Sequence, residues 1–243
     1  MHPVYFISDV HLGLQSERQE AEKLDRLEQL FALIIREGAE LYLLGDIFDY
    51  WMEFRHLVPK GFNRALCLLS SLVDSGVRVT YFAGNHDFHL GTFFDRELGI
   101  ATQYGLQEVW LHSKRFLVAH GDGLGKGDTG YKLFARVIRN RFNLMLLRTL
   151  HPDAAMWLMK SASRLSREHK PVNLSAEKNR LLNYAKSLIE SEQFDYFVCG
   201  HNHCREIVGL NPSMASYVNL GTWIDGAAPY ARFDGSTMEL KEI

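Results

Sequence analysis

Cysteine is nearly absent: Cys67, Cys199 and Cys204 are all that a chain of 243 residues carries, an odd count at no metal-ligand spacing. That excludes a disulfide framework and a thiolate zinc site, and it suits a reducing cytosol. Cys67 and Cys199 lie in apolar runs and read as small core residues, and Cys204 as a neighbour of other chemistry. No apolar run approaches the ~18 residues of a spanning helix. The first eight residues have no basic region and no small-residue cleavage site, so they read as a strand and not as a signal peptide. Repeats, low-complexity tracts and linkers are missing too. What remains is an ordinary globular composition, 47% hydrophobic and 23% charged, able to bury a full core.

Strong net charge is also lacking, but the formal −2 hides an asymmetry. Between residues 129 and 170 nine Lys and Arg face only Asp153 and Glu168, so that segment is +7 and the remainder −9. A cationic module on an acidic body points to an anionic partner. Positive charge confined in this way argues against a nuclease, which needs it along the whole cleft.

Apolar runs at 4–8, 41–44 and 77–83 alternate with helical spacing at Leu24, Leu27, Leu30, Phe31 and Ile34, then at Leu66, Leu69 and Val73. Gly38 and Gly76 supply the stops. Strands and helices in alternation predict a layered α/β core, with function in loops beyond the strands' carboxyl ends. Further on, 108–111 and 115–119 predict a hairpin joined by His112-Ser-Lys114, and 195–199 another strand. The tail from 206 to 240, with turns at Asn211-Pro212 and Asp234-Gly235, predicts more strands. Two β-lined halves closing on one site make a four-layer α/β/β/α sandwich. Residues 1–128 and 192–243 form its core, and 129–191, helical in pattern, are expected to be a cap inserted near the site.

Five short motifs stand where these strands end: Asp9-x-His11, Gly45-Asp46-x-x-Asp49, Gly84-Asn85-His86-Asp87, Ala119-His120-Gly121-Asp122 and Gly200-His201-x-His203. Each alone is ordinary turn chemistry. Together Asp9, His11, Asp46, Asn85, His120, His201 and His203 supply seven oxygen and imidazole donors, with Asp46 able to bridge. Such a set suits two divalent transition ions, Mn, Fe or Zn, better than calcium. Two ions about 3.5–4 Å apart activate water and clamp a phosphate oxygen, the usual equipment of phosphoester hydrolysis. Gly45, Gly84, Gly121 and Gly200 let the donors turn inward. Asp49, Asp87 and Asp122 are expected to orient the imidazoles and loops, and His86, with Asp87 beside it, to serve catalysis by giving a proton to the leaving oxygen.

In order and spacing these motifs resemble the calcineurin-like metallophosphoesterase superfamily. The resemblance implies that Asp9, His11, Asp46 and His203 hold one metal, and Asp46, Asn85, His120 and His201 the other. A closer similarity, to the UDP-2,3-diacylglucosamine hydrolases of lipid A synthesis, runs through Tyr42-Leu-Leu-Gly-Asp-Ile-Phe-Asp-Tyr-Trp51, Asp74-Ser-Gly-Val77, Gly84-Asn-His-Asp-Phe88, His120-Gly-Asp122 with Asp128-x-x-Tyr131, and Leu220-Gly-Thr-Trp223. It implies Mn²⁺, a helical cap that receives acyl chains, and work at the cytoplasmic face of the inner membrane. The implied reaction cleaves an acylated UDP-sugar to UMP and 2,3-diacylglucosamine 1-phosphate. By the same resemblance Asp128 and Tyr131 touch the sugar or its phosphate, and Arg164, Ser166 and Lys170 form a cap cluster. One departure stands out: the best-known members have arginine where this chain has His86.

The mixture of cations with Phe134, Val137, Phe142, Met145 and Trp157 in the insertion suits a lipid with an anionic head, and an anionic membrane surface. Two other readings compete. A general metallophosphoesterase for soluble phosphodiesters would tolerate loss of the cap's apolar residues. A binding module without turnover would have no need of the whole donor set.

Overall fold

The computed structural model describes residues 2–126, 129–168, 174–210 and 214–243, with side chains throughout except at 129–131, 134, 141, 162–168 and 174–179. The first half runs β1 (Val4–Ile7), α1 (Glu17–Glu37), β2 (Glu40–Leu44), α2 (Asn63–Asp74), β3 (Val79–Phe82), α3 (Phe93–Arg96) and β4 (Ala101–Gln103). Then come β5 (Gln107–Leu111), β6 (Lys114–Val118), α4 (Thr129–Ile138), α5 (Arg141–Thr149), α6 (Pro152–Glu168) and α7 (Leu174–Leu188). The chain closes with β7 (Tyr196–Cys199), β8 (Glu206–Leu210), β9 (Ala215–Asn219), β10 (Pro229–Phe233) and β11 (Met238–Glu242). No helix among the described residues is long and apolar enough to cross a membrane.

The expected alternation is present, and its physical basis is plain in α1. Leu27, Leu30, Phe31 and Ile34 repeat at helical spacing and are all buried. Burying each such side chain contributes roughly 1.5–3 kcal/mol. Gly38 ends the helix at φ 59°, where its N–H bonds the Ile35 carbonyl at 3.1 Å. The hairpin forms with a tighter turn than expected. Leu111 pairs with Lys114, so His112 and Ser113 alone make the turn, at φ 51° and 66°. Two positive φ angles give the turn whose twist matches that of the strands. The turn expected at Asn211-Pro212 lies outside the described residues.

The strands form a six-stranded sheet, β11-β10-β1-β2-β3-β4, and a five-stranded sheet, β5-β6-β7-β9-β8. In the first, β1 to β4 are parallel; in the second, β6, β7 and β9 are. Val4, Phe6, Tyr42, Leu44 and Phe82 of one sheet meet Phe116, Val118, Val198 and Val218 of the other in a dry layer. The first sheet's other face packs on α1 and α2. The second sheet's outer face, at Leu117, Phe197 and Tyr217, takes Leu181 and Ala185 of α7. Four layers result, and the fourth is drawn from the stretch read as cap. Of the remaining insertion, α6 seats Ala155 and Met159 on Met52 and Phe54.

Candidate metal centre

Parallel neighbours end at one edge, and every motif lies just past such an end. Asp9 and His11 follow β1, Asp46 follows β2, Asn85 and His86 follow β3, His120 follows β6, and His201 and His203 follow β7. Hydrogen bonds knit these loops together. Asp9 N–H donates to Gly45 O at 3.1 Å, His11 N–H to Asp46 O at 2.9 Å, and Gly200 N–H to His120 O at 2.9 Å. Across the two sheets, His201 N–H donates to the Asp9 carboxylate at 3.0 Å.

All seven expected donors are brought to this one edge, and His86 joins them as an eighth side chain. His120 Nε2 lies 3.4 Å from Asp46 Oδ2 and 3.1 Å from Asn85 Oδ1. His203 Nε2 lies 3.2 Å from Asp9 Oδ1, and His11 Nε2 is 3.7 Å from carboxylate oxygens of both Asp9 and Asp46. The His201 ring packs edge-on to His120, centroids 5.1 Å apart. Three groups (Asp9, His11, His203; Asp9, Asp46, His120; His11, Asp46, His86) each gather their ligand atoms within 4.8 Å of one another.

Three imidazoles are held from behind. His120 Nδ1 bonds the Leu44 carbonyl at 2.8 Å, His11 Nδ1 meets Asp49 Oδ1 at 3.3 Å, and His86 Nδ1 meets the Asp49 carbonyl at 3.1 Å. Each bond fixes a ring with Nε2 facing the carboxylates, as a coordinating histidine requires. Buried His11 Nε2 has no hydrogen-bond partner among the described residues, and Asp9 Oδ1 has only the close approach of His203 Nε2. Orphaned buried polar atoms are costly, and a shared divalent cation would satisfy both. The donor set therefore fits divalent metal.

Electrostatics agree. Burial would strip the proton from His11, but Asp49 and Asp9 raise it to about 9. Burial acts alike on His120, and Asp46 raises that ring to about 10. Burial pushes Asp9 and Asp46 upward, yet the neighbouring imidazoles hold both below the usual carboxylate range. Protons on imidazoles thus compensate two buried carboxylates where cations would otherwise do so. Asp9, His11, Asp46, His201 and His203 all have φ between 49° and 71°. Asp and His tolerate that region better than most non-glycine residues, and five of them clustered past the strand ends point to a functional site.

The supporting residues partly revise expectation. Asp87, placed by sequence beside the reacting atoms, is wholly buried and accepts the N–H groups of Gly84, Asp46, Ile47 and Phe48 and the Tyr81 hydroxyl. Its carboxylate holds two donor loops in register, the orienting role expected of it. Gly84 and Gly200 serve by space and not by φ: a methyl on either would overlap the Asp46 or Asp9 carboxylate. Asp122 pairs with Arg139 at 2.7 Å. Lys23, missed in the sequence, donates from a buried position to His11 O at 3.0 Å and to Glu20 at 3.1 Å. Glu20 in turn accepts Gly13 N–H at 2.8 Å and Gln15 N–H at 2.9 Å. The available signal was a lysine on the apolar stripe of α1, one turn before Leu27. Asn219 Nδ2 similarly holds Gly200 O at 2.8 Å. Asp128 and Lys170 lie outside the described residues, while Tyr131 sits on α4 and Arg164 and Ser166 on α6.

Comparison with known proteins agrees with this geometry. Residues 2–205 match the calcineurin-like phosphoesterase family, and the chain belongs to it. Its relatives include a UDP-2,3-diacylglucosamine hydrolase of Porphyromonas gingivalis, 31% identical over 256 residues, covering 99% of this chain and 97% of that one. Enzymes of that name from Salmonella paratyphi C (29% identity, 90% of each chain) and Actinobacillus succinogenes (27%, 94% of each) are similar too. An archaeal phosphodiesterase shares the fold at a TM-score of 0.52 and 12% identity, covering 99% of this chain and 98% of that one. Family and relatives make the chain a metal-dependent phosphoester hydrolase.

Proposed function

We propose that this chain hydrolyses the pyrophosphate of UDP-2,3-diacylglucosamine to UMP and 2,3-diacylglucosamine 1-phosphate, a step of lipid A synthesis. The observation that carries the reading is the convergence of buried carboxylates and anchored Nε2 atoms in a chain whose relatives bear that enzyme's name. Asp9, His11, Asp46 and His203 would hold one Mn²⁺, and Asp46, Asn85, His120 and His201 the second. Such ions, when bound, polarise a phosphoryl oxygen and make water acidic enough to attack at neutral pH.

The chain's own residues supply the rest. Asp49 and the Leu44 carbonyl keep His11 and His120 in the required tautomers. Water oxygen bonds to phosphorus as the bridging P–O bond breaks, and His86, with Nδ1–H held on the Asp49 carbonyl, would act as an imidazolium that gives its Nε2 proton to the leaving oxygen. By the resemblance, Asp128 and Tyr131 would contact the sugar or its phosphate, and Arg164, Ser166 and Lys170 would form the cap's polar cluster. Helices α4 to α6 are the cap, and exposed Leu133, Phe142, Met145 and Trp157 are surfaces for acyl chains and for the cytoplasmic face of the inner membrane.

The test is UMP release from this substrate in detergent micelles by Mn²⁺-loaded protein, with bis-p-nitrophenyl phosphate alongside. Release far faster than diester cleavage is expected. Turnover of the diester alone would leave the metal chemistry and reject the lipid.

A further inference from the structure

Beside the metal centre, between the insertion and the core, lies a cavity of about 250 Å³ lined by Asp122, Gly123, Lys132, Ala135, Arg136 and Arg139. Lys132, Arg136 and Arg139 follow at spacings of four and three, so one face of α4 and its last turn presents all three. Among the described residues they confront a single lining carboxylate, that of Asp122. The cavity is therefore a cationic recess, and an anion is what it would take.

Arg139 fixes which anion. Its Nη2 donates to Asp122 Oδ2 at 2.7 Å and to the Gly84 carbonyl at 3.1 Å. Gly84 immediately precedes Asn85, and Asp122 follows His120 by two residues, so the guanidinium spans the two loops that carry those donors. Asn85 Oδ1 and His120 Nε2 themselves lie 3.1 Å apart. A phosphate held there through metal would face the two loops that Arg139 bridges, and a group bonded to it on the cap side would enter the recess. A simple ester places a carbon group there. A pyrophosphate places a second anionic phosphate there, and a guanidinium donates a charge-assisted hydrogen bond to a phosphate oxygen.

We propose that Arg139, backed by Arg136 and Lys132, binds the phosphate that is not attacked, and so selects pyrophosphates over single-phosphate esters. This rests on the pyrophosphate reading above. On binding, Arg139 keeps Asp122 as its orienting partner and exchanges the Gly84 carbonyl for a phosphate oxygen. The discrimination belongs to the insertion, although the reacting centre belongs to the core.

The test compares UDP with UMP, which differ by that one phosphate, as ligands of the full-length Mn²⁺-loaded protein in calorimetry. The native protein should bind UDP about 30-fold more tightly than UMP, the size of one charge-assisted hydrogen bond. Arg139→Ala should bring the ratio close to one, and Arg139→Lys should restore part of it. Arg136→Ala, which leaves the Gly84 contact intact, should lower the ratio about threefold and serves if Arg139→Ala does not fold. Equal affinity of the native protein for UDP and UMP would overturn the pyrophosphate reading together with this inference. A native preference that survives in Arg139→Ala would overturn the inference alone. So would loss of bound metal in that variant, because Arg139 would then be a prop of the Gly84 loop.

Discussion

The edge where the strands end and the helices inserted above it solve opposite problems. At the edge Asp9 is 0% and Asp46 2% exposed, and each polar side chain is held by others. In the insertion Phe142 is 61% and Trp157 70% exposed, among cations. A reacting centre must fix its atoms before substrate arrives, because geometry lost there is lost from the transition state. A surface that recognises a long, partly apolar molecule does better by leaving apolar and basic groups accessible. On the proposed reading chemistry belongs to the core and selection to the insertion, and each half can be broken separately.

The largest effect is expected from the core. Asp46→Ala or Asn85→Ala should lower turnover by at least about 10³-fold, as removal of a catalytic group does. Metal analysis should find fewer than two ions per chain; near-normal rates in either variant would refute the donor assignment. Lys23→Met comes next. It leaves every donor in place but frees the His11 loop, and should weaken Mn²⁺ binding by about 10- to 100-fold, the usual penalty for losing an outer support of a metal site. Calorimetry reads this directly, with Lys23→Arg as the rescue.

Acidity sharpens the comparison further, because it acts on the core's imidazoles. His11 and His120 are raised from 6.5 to about 9 and about 10 in the metal-free fold. A raised folded value means stability fully present below pH 6.5 and lost as pH rises through 9 to 10. Metal must displace the same protons, so Mn²⁺ affinity should climb across that window while metal-free stability falls. Urea midpoints and Mn²⁺ titrations between pH 6.5 and 10 check both slopes, and parallel slopes would contradict the assignment. The smallest effect belongs to the insertion: Phe142→Ser with Trp157→Ser should raise KM for a long-chain substrate roughly 5- to 10-fold relative to a short-chain analogue.

Much of this was legible because each donor motif is contiguous. Asp-x-His and Gly-Asn-His-Asp carry their chemistry within four residues, and the apolar run before each names the strand that delivers it. What was hidden depends on distance. Lys23 reaches His11 from the next helix, Arg139 reaches Gly84 across 55 residues, and Asp87 serves a loop 40 residues upstream. Helix α7 shows a second kind of hiding. Its apolar stripe specifies burial but not whether the cover is a cap or a sheet, and only the contact with Phe197 and Tyr217 decides it. Helix α3 and strand β4, four and three residues long, are too short to impose a period.

The bond from His201 to the Asp9 carboxylate joins residues 192 positions apart, across two sheets, in a chain with only three thiols. Ions bound between those strand ends would act as a clasp, closing a loop nearly as long as the protein. Restricting the unfolded chain over such a length is worth several kcal/mol when a covalent bridge does it, on the order of 4–5 for long loops. The same cluster that performs the chemistry would then be the fastener this sequence otherwise lacks, and a chelator would remove function and cohesion together.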